Sequence, residues 1–559
     1  MKWWLRLLLA ISICLPALGP FFKSQFFSLH DWTHAARLYE MDQGLKDGHF
    51  PVRWAKDLGF GYGLPQFNFY APLFYYLAEL VYGWGVPALV SIKLVVIANF
   101  IAAFLAMEYW GRKMFNQYVG LTAATAFIYI PYRAVNTYVR GALAELTAIT
   151  LLAITLALLV RWQQRRSWAN TAWIALAWAG IWTAHNLIGM ISFPLVIMTL
   201  IGVWLSDRSG VKAIKQMVCM VGLSLGIAAF YLLPMGLEHQ YTMAFGLTTG
   251  FSDFHHHFLY LRQLINSAWG YGGSIFGVND GLSFRIGNLH LALTGVTLLM
   301  LSKRRWLKRQ QQGWLWISLL AVVLAILMST FKTQFIWERV SFLKFVQFPW
   351  RYLAIVMTYG SMLTGAAIYW TYKLSRFKQT LVTVMAGLGL IVLNLQYFKP
   401  EKFLTDNETL YYTDPQRIAR EMSRIIPDFI SRHEAEVVPP PPSRRFSLED
   451  KADLAVEIDR TQEFSLRIKS ATEQMLTINI LYFPGWKLYL DGQETGFHLN
   501  QGWPTMRLMV PASEEPVLIS GKFGEAPIRV IANSLTILAL GVSAYLILRQ
   551  HDPIRKHQA

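Results

Sequence analysis

Four short stretches of this 559-residue chain carry acids, histidines and arginines in arrangements that could do chemistry. The first is His30-Asp31-Trp32-Thr33-His34-Ala35-Ala36-Arg37; if it is helical, Asp31, His34 and Arg37 share a face through their i, i+3 spacing. The second is Arg140-Gly141-Ala142-Leu143-Ala144-Glu145, the third His185-Asn186, and the fourth Phe348-Pro349-Trp350-Arg351-Tyr352. A positioned carboxylate can take a proton from a hydroxyl, and arginines can bind a phosphate through paired hydrogen bonds. Taken singly, each stretch also has a plain structural reading. Asp31 could cap a helix, Glu145 could pair with Arg140, His185 could be a satisfied buried histidine, and Arg351 could anchor an interface.

Positioning four such distant stretches falls to the elements between them, and those are apolar. With 54% hydrophobic and 15% charged residues, the chain reads as a polytopic α-helical membrane protein. A bilayer core needs about 20 apolar residues per spanning helix, and that window predicts about twelve spans. They fall near 4–22, 87–109, 119–132, 142–160, 168–184, 187–205, 216–235, 288–302, 314–330, 351–372, 379–397 and 528–548. The net charge of +17 would suggest nucleic acid on a soluble face, but it is segregated. Arg112-Lys113, the stretches 161–166, 208–215, 303–309 and 373–378, and the tail 549–556 occupy alternate connections. By the positive-inside rule these mark the cytoplasmic side, put both termini there, and argue against a nucleic-acid partner. All four candidate stretches then meet at the opposite, outer face, and convergence of acids, histidines and arginines at one depth suggests a site. The cysteines, Cys14 and Cys219, lie in expected spans and imply no disulfide framework.

The expected organisation is a transmembrane domain over 1–397 with outer loops 23–87, 236–287 and 331–350, an outer domain over 398–527, and a last span with a basic tail over 528–559. In the outer domain, an amphipathic helix is expected after Tyr411-Tyr412-Thr413-Asp414-Pro415, running to Ile426, followed by a polyproline linker, Pro439 to Pro442. From about residue 450, short alternating segments with turn chemistry at Asp491-Gly492 and at Asn500-Gln501-Gly502 predict a small antiparallel β-sandwich. Glycines 59, 61 and 63 of the first outer loop follow no strand and precede no Lys-Ser/Thr, so they make a poor phosphate loop. That stretch, with its tyrosines and tryptophans, is expected to be a helical element along the membrane interface. His255-His256-His257 is read as interfacial, because consecutive side chains point in different directions and do not converge on a metal.

His-Asp-x-x-His-x-x-Arg from His30, Gly-x-x-Pro-x-Arg-Trp from Gly48, Gly-x-Gly-x-Pro from Gly61 and Tyr-x-Pro-Leu from Tyr70 form one combination of motifs. Together with Tyr138-Val139-Arg140-Gly141, Glu145, His185-Asn186 and Pro349-Trp350-Arg351, it resembles bacterial membrane proteins known as 6-pyruvoyl-tetrahydropterin synthase-related. Those are placed among the GT-C glycosyltransferases, and the zinc histidine set that their name suggests is not visible here. Tyr482-Phe483-Pro484-Gly485-Trp486-Lys487 with Asp491-Gly492 resembles the outer domain of YfhO-type membrane proteins, which are also GT-C-like. The resemblance implies a GT-C-like fold with a periplasmic β-sandwich, in the bacterial inner membrane. It implies transfer of a sugar from a polyprenyl-phosphate donor to an envelope glycan, lipid or protein acceptor. Asp31 matches the acid of the first outer loop in that superfamily, and Glu145 is the nearest match to its second acid. For substrate, Arg140 and Arg351 are the expected phosphate arginines, with Arg53 next and with His30, His34, Arg37, His185 and Asn186 beside them. The cofactor is unknown; Asp31 and His34 could share a divalent metal ion, with no third ligand identified. Two other readings use the same scaffold: a transporter of lipid-linked sugars and a non-catalytic glycan-binding protein.

Overall fold

An apolar run in lipid must satisfy its backbone polar groups within itself, and each of the twelve expected spans is occupied by helix. The computed structural model describes residues 2–207, 210–243, 248–303, 307–420, 429–430, 440–450 and 452–549. Among these, seven helices are long and apolar enough to cross a membrane, or up to nine if each of two bent pairs is one span. The bends are 73° between Trp3–Cys14 and Pro16–Phe22, and 66° between Val211–Ile227 and Ala229–Tyr241. The remaining three expected spans, Gln117–Tyr129, Trp168–Ala184 and Asn288–Ser302, have 13, 17 and 15 residues. At about 1.5 Å per residue they reach roughly 20–26 Å, short of a core of about 30 Å. Pro131 explains the first: it forces Ile130 into an extended conformation, ending one helix, and the chain resumes as Pro131–Ala134 and Val135–Val139.

Leu143–Gln164 is the centre of the bundle. Its mean hydropathy of 2.3 is close to the 1.9 of the last helix, Pro527–Leu548, yet 83% of its apolar window is buried against protein and only 17% of the other. The one is solvated by helices and the other must be solvated by lipid, which is why both can be apolar all round. Lys93, near the start of the helix Ala88–Met114, turns its ammonium onto the carbonyls of Lys23, Ser24 and Gln25 at 2.7, 3.3 and 3.0 Å. That ties down the start of the long connection over 23–87.

The C-terminal part folds as two antiparallel sheets. Its strands are β1 (Phe446–Leu448), β2 (Asp453–Asp459), β3 (Glu463–Ser470), β4 (Gln474–Leu481), β5 (Trp486–Leu490), β6 (Gln493–Thr495), β7 (His498–Leu499), β8 (Thr505–Val510) and β9 (Ser513–Phe523). One sheet runs β1-β4-β8-β7 and the other β2-β3-β9-β5-β6. Asp491 and Gly492 close the β5–β6 hairpin with φ of +46° and +83°, the positive pair a two-residue turn demands. Inward residues of both sheets, among them Leu466, Ile478, Leu488 and Ile519, form one core, and Trp54 and Phe69 of the 23–87 connection are part of it.

The glycine stretch departs from expectation. Gly59, Phe60, Gly61 and Gly63 have φ of +67°, +61°, +81° and +76°, which a right-handed helix does not admit. The segment is instead a compact loop closed by the bridge Ala55↔Leu64, between the helices His34–Lys46 and Leu73–Tyr82. Its Tyr62 carbonyl accepts the Leu481 N–H at 3.0 Å, so the loop is a docking surface for the sandwich. The expected helix before the sandwich begins as Pro415–Arg420, preceded by a helix Asp406–Thr413 that the sequence reading did not include. Its continuation to Ile426, Pro439 of the linker and the tail from residue 550 lie outside the described residues.

Candidate active site

The chain leaves the first bent helix pair and pairs with the corner between Val139 and Gly141. His30 N–H donates to the Val139 carbonyl at 3.0 Å and Asp31 N–H to the Arg140 carbonyl at 2.9 Å. Gly141 permits this approach: it sits at φ +63°, and a Cβ there would lie 2.8 Å from Leu29 Cβ and 3.1 Å from the Asp31 carbonyl oxygen. Two stretches more than a hundred residues apart are thereby locked edge to edge.

The helix that follows starts at His34 with Thr33 as its N-cap, so Asp31 precedes it and does not share its face. Arg37 reaches back instead. Its Nη1 donates to Asp31 Oδ1 at 3.1 Å and Oδ2 at 3.3 Å, while its guanidinium lies 3.9 Å over the Tyr70 ring. Thr33 Oγ1 donates to Oδ1 at 3.1 Å and the Tyr70 hydroxyl to Oδ2 at 3.2 Å. Burial alone would raise the Asp31 pKa, but Arg37, with His34 and Thr33, outweighs it and holds the carboxyl down at about 2. The side chain keeps 31% exposure, against 6% for Arg37. Asp31 is therefore an ionised, reachable carboxylate.

His34 faces away. Its Nε2–H donates to the Gly141 carbonyl at 2.6 Å, and its Nδ1 accepts from the Tyr75 hydroxyl at 3.1 Å. With both nitrogens engaged and Nε2 3.8 Å from Asp31 Oδ2, the pair presents no shared ligand set for a metal. Among the described residues no group of three or more His, Cys, Asp and Glu side chains could hold a metal ion.

Glu145 stands in the first turn of Leu143–Gln164 and is fully buried. Arg140 grips it bidentately, Nη1 to Oε1 at 3.0 Å and Nη2 to Oε2 at 2.9 Å. Tyr132 and Asn136 donate to Oε1 at 3.0 and 3.2 Å, and Arg351 Nε stands 3.7 Å from Oε2. Arg351 Nη1 is held by the Val346 carbonyl at 2.6 Å and Gln347 Oε1 at 2.9 Å, whereas its buried Nε makes no hydrogen bond. One carboxylate thus serves two arginines.

A cavity of about 860 Å³ joins these groups. His30, Asp31, Arg37, Arg140, Glu145, His185, Asn186 and Arg351 line it, together with an aromatic wall that includes Tyr70, Trp182, Phe348 and Trp350. His30 Nε2–H is tied to the Tyr271 carbonyl at 2.7 Å, and the Asn186 amide to Met235 Sδ at 3.1 Å. His185 Nδ1 accepts the Ile188 N–H at 3.2 Å, so the ring is neutral there, with its proton on Nε2. Three arginines face two carboxylates, leaving one excess positive charge in a largely apolar chamber.

Two of the ten expected site residues are not on its walls, namely His34 and Arg53. Arg53 is 1% exposed at the junction with the sandwich. It donates to Glu525 at 2.8 Å, Asn68 at 2.9 Å, the Phe230 carbonyl at 3.1 Å and Asn533 at 2.9 Å. Beside it, Arg529 Nε lies 3.0 Å from both oxygens of Glu238, to which Asn68 also donates. Tyr132 and Asn136 were missed by sequence reasoning, though successive steps of four residues from Tyr132 to Asn136 to Arg140 put all three on one helical face.

The fold and cavity define a multi-pass membrane protein with a charged, aromatic-walled chamber beside a β-sandwich. No family model matches the chain, and no curated protein does. Among solved structures it is similar to the mycobacterial arabinofuranosyltransferase AftD, at 15% identity and a TM-score of 0.45 over 71% of this chain. It is also similar to the oligosaccharyltransferase of Archaeoglobus fulgidus, at 13% identity and a TM-score of 0.47 over 74% of this chain. A third is the A. fulgidus oligosaccharyltransferase AglB in complex with an inhibitory peptide and a dolichol-phosphate, at 12% identity and a TM-score of 0.33 over 72% of this chain. The chain spans 27% of the length of the first, 59% of the second and 57% of the third.

Proposed function

We propose that the protein is a membrane glycosyltransferase of the GT-C type, related to the 6-pyruvoyl-tetrahydropterin synthase-related group that its motifs resemble. It takes a sugar from a polyprenyl-phosphate donor and passes it to an acceptor of the bacterial envelope, in a cavity at the periplasmic face of the inner membrane. The observation that carries this reading is the pairing, within one chamber, of a reachable ionised carboxylate with two arginines that share a single counter-charge.

A polyprenyl phosphate leaves as an anion and needs charge stabilisation more than protonation. Arg140 and Arg351 supply it; Glu145 holds the Arg140 fork in place, and the Val346 carbonyl with Gln347 holds Arg351. Asp31 accepts the proton of the attacking hydroxyl. At a pKa of about 2 it is a weak base, which suits late transfer, after the bond to the sugar has made the acceptor oxygen strongly acidic. The aromatic wall gives the apolar faces of a sugar rings to lie on.

The test is transfer from a polyprenyl-phosphate sugar by purified protein, parent against Asp31→Asn. Asn keeps the size and loses the base, so transfer should fall by about a hundred- to ten-thousandfold in protein that still folds, with a lower melting temperature because Arg37 loses its counter-charge. Matched transfer by the two proteins would remove Asp31 as the base. No transfer by the parent from any polyprenyl-phosphate sugar would remove the reaction itself.

A further inference from the structure

The histidine run of the second outer loop ends inside the cavity wall. His257, Ser274 and Trp350 are 2%, 3% and 3% exposed and form a hydrogen-bonded chain with one direction. Trp350 Nε1–H donates to Ser274 Oγ at 3.1 Å. Ser274 Oγ lies 2.6 Å from His257 Nδ1, and His257 Nε2 lies 2.6 Å from the Phe251 carbonyl. A carbonyl only accepts, so the ring proton is on Nε2; Nδ1 of the neutral ring then accepts the serine proton. The indole so fixed stacks on Phe348 at 5.0 Å and carries the Arg140 guanidinium 4.5 Å from its centroid. The His257 ring braces Phe348 edge-on at 4.6 Å.

We propose that His257 and Ser274 are positioning residues for phosphate recognition: their relay sets the plane of Trp350, and Trp350 sets the plane of Arg140. This rests on the reading of Arg140 as a phosphate ligand. Glu145 and Asn136 fix where the Arg140 guanidinium sits, but a planar fork also needs a fixed tilt to present two parallel N–H bonds to an oxyanion. A cation held over an indole face takes that tilt from the ring. The second outer loop thereby acts on the reaction without touching the reacting atoms.

Two conservative replacements of His257 separate positioning from simple loop stability. Asn places an acceptor where Nδ1 was and keeps the bond from Ser274; Gln places a donor where Nε2 was and keeps only the bond to Phe251. The experiment is calorimetric binding of farnesyl phosphate to the purified full chain in detergent, for the parent, Arg140→Ala, Ser274→Ala, His257→Asn and His257→Gln, with melting curves alongside. Ser274→Ala and His257→Gln should bind about tenfold more weakly, while His257→Asn stays within about threefold of the parent. Equal binding by Asn and Gln variants, or parent-like binding by Ser274→Ala, with Arg140→Ala defective, overturns the relay and leaves the phosphate site standing. Parent protein that binds no farnesyl phosphate overturns the phosphate reading and this proposal with it.

Discussion

Asp31 and Arg37 make opposite demands on each other. The guanidinium keeps the carboxylate ionised, and burial without it would push the carboxyl up. Arg37→Gln should therefore raise the Asp31 pKa from about 2 to above the usual carboxylate value of about 3.9. On the proposed mechanism transfer needs the ionised form, so it should acquire an acid limb at that higher pH, read from a pH–rate profile of the variant against the parent. The sign holds for stability as well. A depressed native pKa contributes stability that is present above the unfolded value and lost as pH falls toward about 2, and the Gln variant forfeits it. Glu145 faces the reverse problem, since Arg140→Ala leaves a fully buried carboxylate without its bidentate partner. The expected cost is about 3–5 kcal/mol, visible as a lower melting temperature in detergent. Arg140→Lys should keep part of the stability and lose the paired bonds to phosphate that the proposed function assigns to Arg140.

Elements matter to the site mainly where they fail to be regular. Gly141 is the clearest case, because the left-handed turn there lets the Asp31 strand lie against the Arg140 corner. Gly141→Ala strains the turn and drives a methyl into Leu29, so Asp31 must shift relative to Arg140. A displacement near 1 Å can cost about a hundredfold in rate, and transfer assays with the folded variant would show it. Irregularity also marks what the sequence hid. The charged motifs were legible because ionisable residues stand out against apolar runs, and eight of the ten expected residues line one cavity. Tyr132 and Asn136 were not legible, since Pro131 breaks a span whose apolar pattern simply fades there. The glycine stretch was misread because aromatic content suggests an interfacial helix, whereas its geometry is set by positive φ, which hydropathy does not report. Arg53 shows a further limit. A motif arginine looks the same in sequence whether it faces substrate or, as here, four protein acceptors.

For the whole molecule, the number of crossings decides where the two ends lie. Nine spans would put the termini on opposite sides of the membrane and twelve on the same side. The three short helices are apolar, and the first is continued beyond its proline break as far as Val139, which favours crossing by all three. Reporter fusions at both termini should therefore report the cytoplasm. With the N-terminal reporter cytoplasmic, a C-terminal reporter active only in the periplasm would show that an odd number crosses.

The clasp between Glu238 and Arg529 has a consequence in time. Its partners are 291 residues apart, and Arg529 opens the last helix. A ribosome adding about 5–20 residues per second leaves Glu238 waiting roughly 15–60 s for its counter-charge. Every cavity-lining residue has been made by then, yet the segment that anchors the sandwich has not. Biogenesis thus passes through a nearly complete nascent protein with an unpaired acid and uncovered aromatic rings at Trp54 and Phe69. That interval, more than the finished molecule, is where quality-control proteases of the membrane would find it.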